Sequence, residues 1–357
     1  MKMTTLTNAY QRHRLKKGLA LFLLIALSAL LAVVCILVGA KELSFAEVVC
    51  ALFGVGEKQA VLTVQNIRLP RVIAAVLAGG GLAVSGLVMQ NVLKNPIASP
   101  STLGVGNAAV FGANFAIVVV GAGTFHSTHG NWLTIENPYL VSAFAFLSAL
   151  LCVAIILFLS AIKGFSPPTV VLAGVAMGSM FQAATTIVQY FADDMQVASA
   201  VYWTFGDLSR ANGRENLILA IVVGVSFLYF YGKRWDYAAM ANGVALAKSL
   251  GVKTGRVTTV SLFLASLITA VCVSFLGLIG FVGLIAPQIM RKIIGDDYRY
   301  LLPCSFFCGA CILLVSDTVG RLVIAGSSLP VGAVTSLLGG PLFFALLLKE
   351  KRHGSVR

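Results

Sequence analysis

Charge is scarce along this chain. Asp, Glu, Lys and Arg together make up 11% of its 357 residues, against about 25% in an average soluble domain. Two or three soluble domains would fit the length, but their surfaces could not be built from so few charges. A G-x-x-x-x-G-K-[ST] loop is missing throughout, which excludes ATP binding by a P-loop in this chain. No Ser/His/Asp or paired-carboxylate arrangement suggests catalysis. Ionisable residues are also missing from the middle of the long apolar runs, where a proton- or ion-coupled transporter usually carries one. That argues against a carrier working alone. The net charge of +13 invites a nucleic-acid reading, but the basic residues fall between apolar runs, where membrane topology puts them, and that reading is rejected.

What is present is hydrophobic: 58% of the residues, arranged in long uncharged runs. A bilayer-spanning helix needs about 20 such residues. Runs at 18–40, 72–93, 138–162, 169–192, 216–232, 301–324 and 330–348 qualify, and a helix is expected near 101–123 with a loop after it. The 257–290 run is too long for one span and is interrupted by glycines and Pro287, so it reads as two. The expectation is an all-α polytopic membrane protein with about ten transmembrane helices, residues 1–357 forming a single domain. The first run has the basic start of a signal peptide, but its apolar stretch exceeds a typical h-region of about 7–15 residues, so it reads as a retained helix.

Lys and Arg placement sets the orientation. With ten spans and the N-terminus in the cytoplasm, only Lys41, Lys58, Arg68, Arg71, Arg210, Arg214 and Arg321 of the 26 basic residues lie outside, while most acids do. This satisfies the positive-inside rule and places both termini in the cytoplasm. In "RLPRVIAAVLAGGG" (68–81), Arg68 and Arg71 are therefore on the sparsely basic outer face. They either snorkel to headgroups or form a docking site that Pro70 stiffens.

Four other features stand out. Residues 238–250 predict a short Ala-rich helix in the longest cytoplasmic segment, ending at a Gly251 cap. The segment 193–215 predicts an outer short helix with Tyr202 and Trp203, lying over a pathway mouth or capping the bundle. Ser179, Gln182, Thr186 and Gln189 recur on one face of a helix, either bonding to neighbouring helices or lining a pathway; Asn91, Asn107 and Asn114 could join them. Cys304, Cys308 and Cys311 share a helix face and read as packing residues, while His126 and His129 are too few to fix a metal.

Three stretches carry a resemblance. "RLPRVIAAVLAGGGLAVSGLVMQNVLKNPIASPSTLGVGNAA" (68–109), "GLIGFVGLIAPQIMRKIIGDDYRYLLP" (277–303) and "SDTVGRLVI…LPVGAVTSLLGGPLFFALLLK" (316–349) resemble the signatures of FecCD-type permeases. These are the membrane subunits of type II ABC importers for ferric siderophores, haem and cobalamin. The resemblance implies a ten-helix permease fold in the plasma (inner) membrane. It implies a second permease subunit, two ATPase subunits that use ATP and Mg, and an external substrate-binding protein, with no cofactor held by this chain. Carried over residue by residue, it gives binding-protein docking to Arg68, Arg71 and Arg321. It makes 238–252 a coupling helix, with Gly243, Ala247, Leu250 and Gly251 meeting the ATPase. It favours the pathway reading of Ser179, Gln182, Thr186 and Gln189, and puts a cytoplasmic gate near the loop 163–169.

Overall fold

The computed structural model describes residues 2–39, 43–125, 133–135, 137–162, 167–323 and 329–354. His126 and His129, and residues 163–166 of the expected gate loop, lie outside the described residues. The chain is almost wholly helical. Helix α1 (Lys2–Leu37) is followed by the short α2 (Phe45–Leu52) and α3 (Lys58–Leu62). A wide-turn π stretch, Thr63–Arg68, feeds directly into α4 (Leu69–Val92). Pro70 sits in the first turn of α4, where its missing N–H costs nothing.

A 3₁₀ turn at Pro100–Leu103 leads into α5 (Val105–Val118). A two-stranded hairpin, β1 (Gly123–Phe125) against β2 (Leu133–Ile135), then occupies the expected loop. Helices α6 (Pro138–Ile162), α7 (Pro167–Tyr190), α8 (Asp194–Thr204) and α9 (Gly213–Gly232) follow. The chain continues through α10 (Arg234–Ala241) and α11 (Val244–Ser249) to α12 (Thr254–Leu276), α13 (Val282–Ile294), α14 (Tyr298–Leu322) and α15 (Val331–Gly354).

Seven helices are long and apolar enough to cross a membrane, and Val105–Val118 and Val331–Ala345 are shorter apolar helices. With α13, these make the expected ten among the described residues. The 257–290 run does split in two. The break lies at residues 277–281, where Gly277 and Phe281 have positive φ, whereas Pro287 is accommodated inside α13. The outer segment is a helix only over Asp194–Thr204; a 3₁₀ turn at Leu208–Arg210 and the start of α9 take up the rest.

Helix α4 is the axis of the bundle. In its apolar window 83% of the residues are buried, against 11% for α1, so α1 lies at the outside of the bundle. Glycines let α4 approach its neighbours at backbone distance. A Cβ on Gly79 would lie 2.5 Å from the Gly309 carbonyl of α14, and one on Gly86 would collide with the Gly283 carbonyl of α13. Between membrane helices, where apolar burial supplies little net drive, such close approach is the main source of packing energy.

Candidate functional site: a polar groove between an arginine rim and a two-helix connector

One end of the bundle gathers the three arginines, although Arg68 and Arg321 are far apart in sequence. They do not point outward as free forks. Arg68 is 4% exposed, and its Nη1 donates to the carbonyls of Ile36 (2.8 Å) and Leu37 (2.9 Å). Arg321 donates from Nη1 to the Val38 carbonyl (2.7 Å) and from Nη2 to that of Cys35 (3.2 Å). Together they satisfy the orphan carbonyls at the end of α1 and put positive charge at its negative dipole end.

Arg71 is 9% exposed and grips Asp317 of α14 through Nε and Nη2, both at 2.8 Å from Oδ1. Arg321 Nε lies 3.1 Å from the other oxygen of Asp317, close enough to pair but without hydrogen-bond alignment. Asp207, in the turn after α8, lies 3.8 Å from Arg71 Nη2. The three arginines expected to dock a binding protein are thus held by the chain itself. Their N–H groups hold α1, α4 and α14 together, because a guanidinium this buried must be paired. Asp207 went unrecognised in the sequence, where no spacing links it to Arg71.

The polar stripe of α7 does form one surface. Ser179, Gln182 and Thr186, with Asn107 of α5, line an open groove of about 550 Å³ floored by Gly104 and Gly178. Asn107 donates across the groove floor to the Gly178 carbonyl at 3.1 Å, fixing α5 against α7. Gln189 lies beyond it and donates to Asn114 at 2.8 Å, while Asn114 is itself fully buried. The walls carry hydroxyls and amides and no charge. Such a surface can hydrate or loosely bond a passing solute without holding it.

Asn91 is not part of the groove, and its pathway assignment is corrected. It is 4% exposed and donates to the Tyr237 carbonyl (3.1 Å) and the Tyr298 hydroxyl (2.6 Å). The Tyr237 hydroxyl in turn meets Ser261 at 2.7 Å, and burial pushes its pKa up. This network moors α10 to α4, α12 and α14.

The connector differs from the single helix expected over 238–252. It is two short helices, α10 and α11, broken at Gly243, whose φ of +132° only glycine adopts readily. Gly251 ends α11 with φ +83°, and the Val252 N–H reaches back to the Ala247 carbonyl at 3.0 Å, the closure a C-terminal glycine permits. Ala247 is fully buried against the chain's own helices, so its expected contact with a partner is corrected too. Val244, Leu246 and Leu250 point outward, Leu250 at 65% exposure, and both glycines border open space. Nearby, Asp297 accepts from Arg299 and from Lys17 of α1. Desolvation alone would raise its pKa, but those bonds prevail and hold it below the usual value.

A bundle of membrane-crossing helices with a neutral polar groove on its flank suits a membrane transport subunit. Comparison with known proteins identifies which kind. The profile of the FecCD transport family matches residues 24–349, and the chain belongs to that family. It is 49% identical over 95% of its length to a Methanocaldococcus jannaschii chain described as an ABC transporter permease protein, covering 96% of that relative. It is 32% identical to the Fe(3+)-citrate import system permease protein YfmE of Bacillus subtilis, with 99% of each chain covered. It is 35% identical to the cobalamin import system permease protein BtuC of Halobacterium salinarum, over 84% of this chain and 76% of the relative. A solved structure described as an inward-facing metal-chelate type ABC transporter superposes with a TM-score of 0.78 at 28% identity, covering 93% of this chain and 99% of that one. The chain is a multi-pass permease subunit; ATP hydrolysis belongs to separate ATPase subunits in such importers.

Proposed function

We propose that this chain passes an iron chelate, a ferric siderophore, into the cytoplasm from an external substrate-binding protein. Haem or cobalamin is the second reading, favoured by the cobalamin permease among the relatives. The observation that carries the proposal is the uncharged polar groove along α7 in a chain of this family. The groove lies open on the flank of the chain, so a second permease subunit, identical or homologous, closes it into a pathway. Two ATPase subunits serve the permease pair, one of them docking on α10–α11 through Leu246, Leu250 and the glycine-flanked turns at Gly243 and Gly251, and they supply ATP and Mg chemistry that this chain does not hold. The termini and the connector face the cytoplasm, across the plasma membrane from the arginine rim.

At that rim the binding protein does not meet free arginines. Its carboxylates compete for guanidiniums now held by Asp317 and the α1 carbonyls, so docking is an exchange of partners at Arg68, Arg71 and Arg321. Charge-assisted bidentate bonds suit that exchange. The test is uptake of a labelled ferric siderophore into proteoliposomes containing both permeases, the ATPase and the binding protein. Uptake that stops with vanadate supports the reading; uptake that continues without ATP hydrolysis overturns it.

A further inference from the structure

A second cavity lies at the rim end of the bundle, away from the groove. It has a volume of about 420 Å³ and is walled by Tyr139 of α6, Tyr202 and Trp203 of α8 and Phe275 at the end of α12. Two charged residues line it, Arg210 and Glu215. Arg210 caps the end of α8, donating from Nη1 to the Trp203 carbonyl (2.7 Å) and from Nη2 to that of Tyr202 (3.0 Å). Those bonds leave the rest of its N–H donors unclaimed. Glu215 is 6% exposed and accepts from the Asn212 N–H at 2.9 Å through one oxygen.

Among the described residues neither makes an ion pair, with each other or with a third group. A buried carboxylate without an ion pair is costly, Arg210 feels the charge of Asp207 without pairing with it, and both residues face one aromatic-walled cavity. The cost is relieved by a ligand carrying both signs. An anionic group on Arg210 gains charge-assisted hydrogen bonds. A cationic group beside Glu215 gains an ion pair and the faces of the aromatic rings. The cavity's place fixes the source: it lies where α6 begins and α12 ends, at the level where helix ends meet lipid headgroups.

We propose that this cavity binds the phosphoethanolamine headgroup of a phospholipid, with phosphate on Arg210 and ammonium between Glu215 and the aromatic wall. The bound lipid would pin the end of α8 to α6 and α9.

The test uses the purified, delipidated full chain in detergent, with lipid retention read by native mass spectrometry. The probes are dioleoyl phosphatidylethanolamine, dioleoyl phosphatidylglycerol and free phosphoethanolamine. We expect a preference of about tenfold for the ethanolamine lipid over the glycerol lipid, or roughly 1.4 kcal/mol. Glu215→Gln removes that preference while the glycerol lipid stays bound, because Gln can still accept from the Asn212 N–H and so spares the helix start. Arg210→Gln weakens both lipids. Equal binding of the two lipids by the wild type, or an unchanged preference in Glu215→Gln, overturns the proposal. So does free phosphoethanolamine binding as well as the lipid, which would make the ligand a soluble zwitterion.

Discussion

The two ends of the bundle treat their interacting groups in opposite ways. At the rim, Arg68 and Arg71 are buried and Arg321 is mostly covered, and their donors go to Asp317 and the end of α1. At the other end, Val244, Leu246 and Leu250 stand out on two short helices flanked by glycines with open space around them. The rim is internally satisfied, so anything that docks there must displace existing bonds. The connector leaves apolar surface uncovered, so a partner there gains burial without breaking anything. An encounter at the rim should therefore be weaker and reversible, and a contact at the connector more lasting.

That contrast can be broken most severely at Asp317. Asp317→Ala strands the buried Arg71 guanidinium and removes the charge beside Arg321, and should cost about 3–5 kcal/mol, read as a fall in thermal unfolding midpoint in detergent. An unchanged midpoint would mean that the rim is not held by this carboxylate. The next effect is expected at the connector's turn. Gly243→Ala forces a side chain into φ +132° and should cost about 1–3 kcal/mol, by the same measurement. The strain, not any clash, is the cause, since nothing lies near a Cβ there.

Leu250→Glu should change stability by no more than about 0.5 kcal/mol yet prevent co-purification of the ATPase. Loss of both fold and partner would undo the distinction between the ends. The smallest effect is acid-dependent. Because the folded pKa of Asp297 is depressed, its contribution is complete above the unfolded value of about 3.9 and is lost as pH falls through the lower folded value. The stability gap between wild type and Asp297→Asn, under about 1 kcal/mol for a part-exposed pair, should be constant from neutral to mildly acid pH and close only below pH about 4.

The ten spans were legible because a charge-free run of about 20 residues is long enough to cross a bilayer and too apolar to face water. Their ends were less so. The π stretch before α4, the short α5 and the break at 277–281 depend on what each segment packs against. The groove was half legible: the period of Ser179, Gln182 and Thr186 fixes one face of α7, but not which neighbours share it. Asn91 and Asn107 carry the same amide and differ only in depth. A clue was available, since α4 is apolar or small on every face between Val72 and Met89, and a helix of that kind is buried. The arginines show a firmer limit. Asp317 and Arg321 are readable as an i, i+4 pair, but the bonds from Arg68 and Arg321 to α1 carbonyls, and from Arg71 to Asp317, are long-range contacts that leave no spacing in the sequence.

Movement of cargo along the groove of α7 can be tested directly by blocking it. In a Cys50→Ser background, which removes the exposed native thiol among the described residues, Gln182→Cys and Met180→Cys are each reconstituted with partner subunits and treated with a charged thiol reagent. Both positions are exposed, but only Gln182 lines the groove. Labelling of Gln182→Cys should block ATP-driven uptake of the ferric siderophore, while labelling of Met180→Cys should leave it running. Undiminished uptake after complete labelling of Gln182→Cys would contradict a pathway along α7.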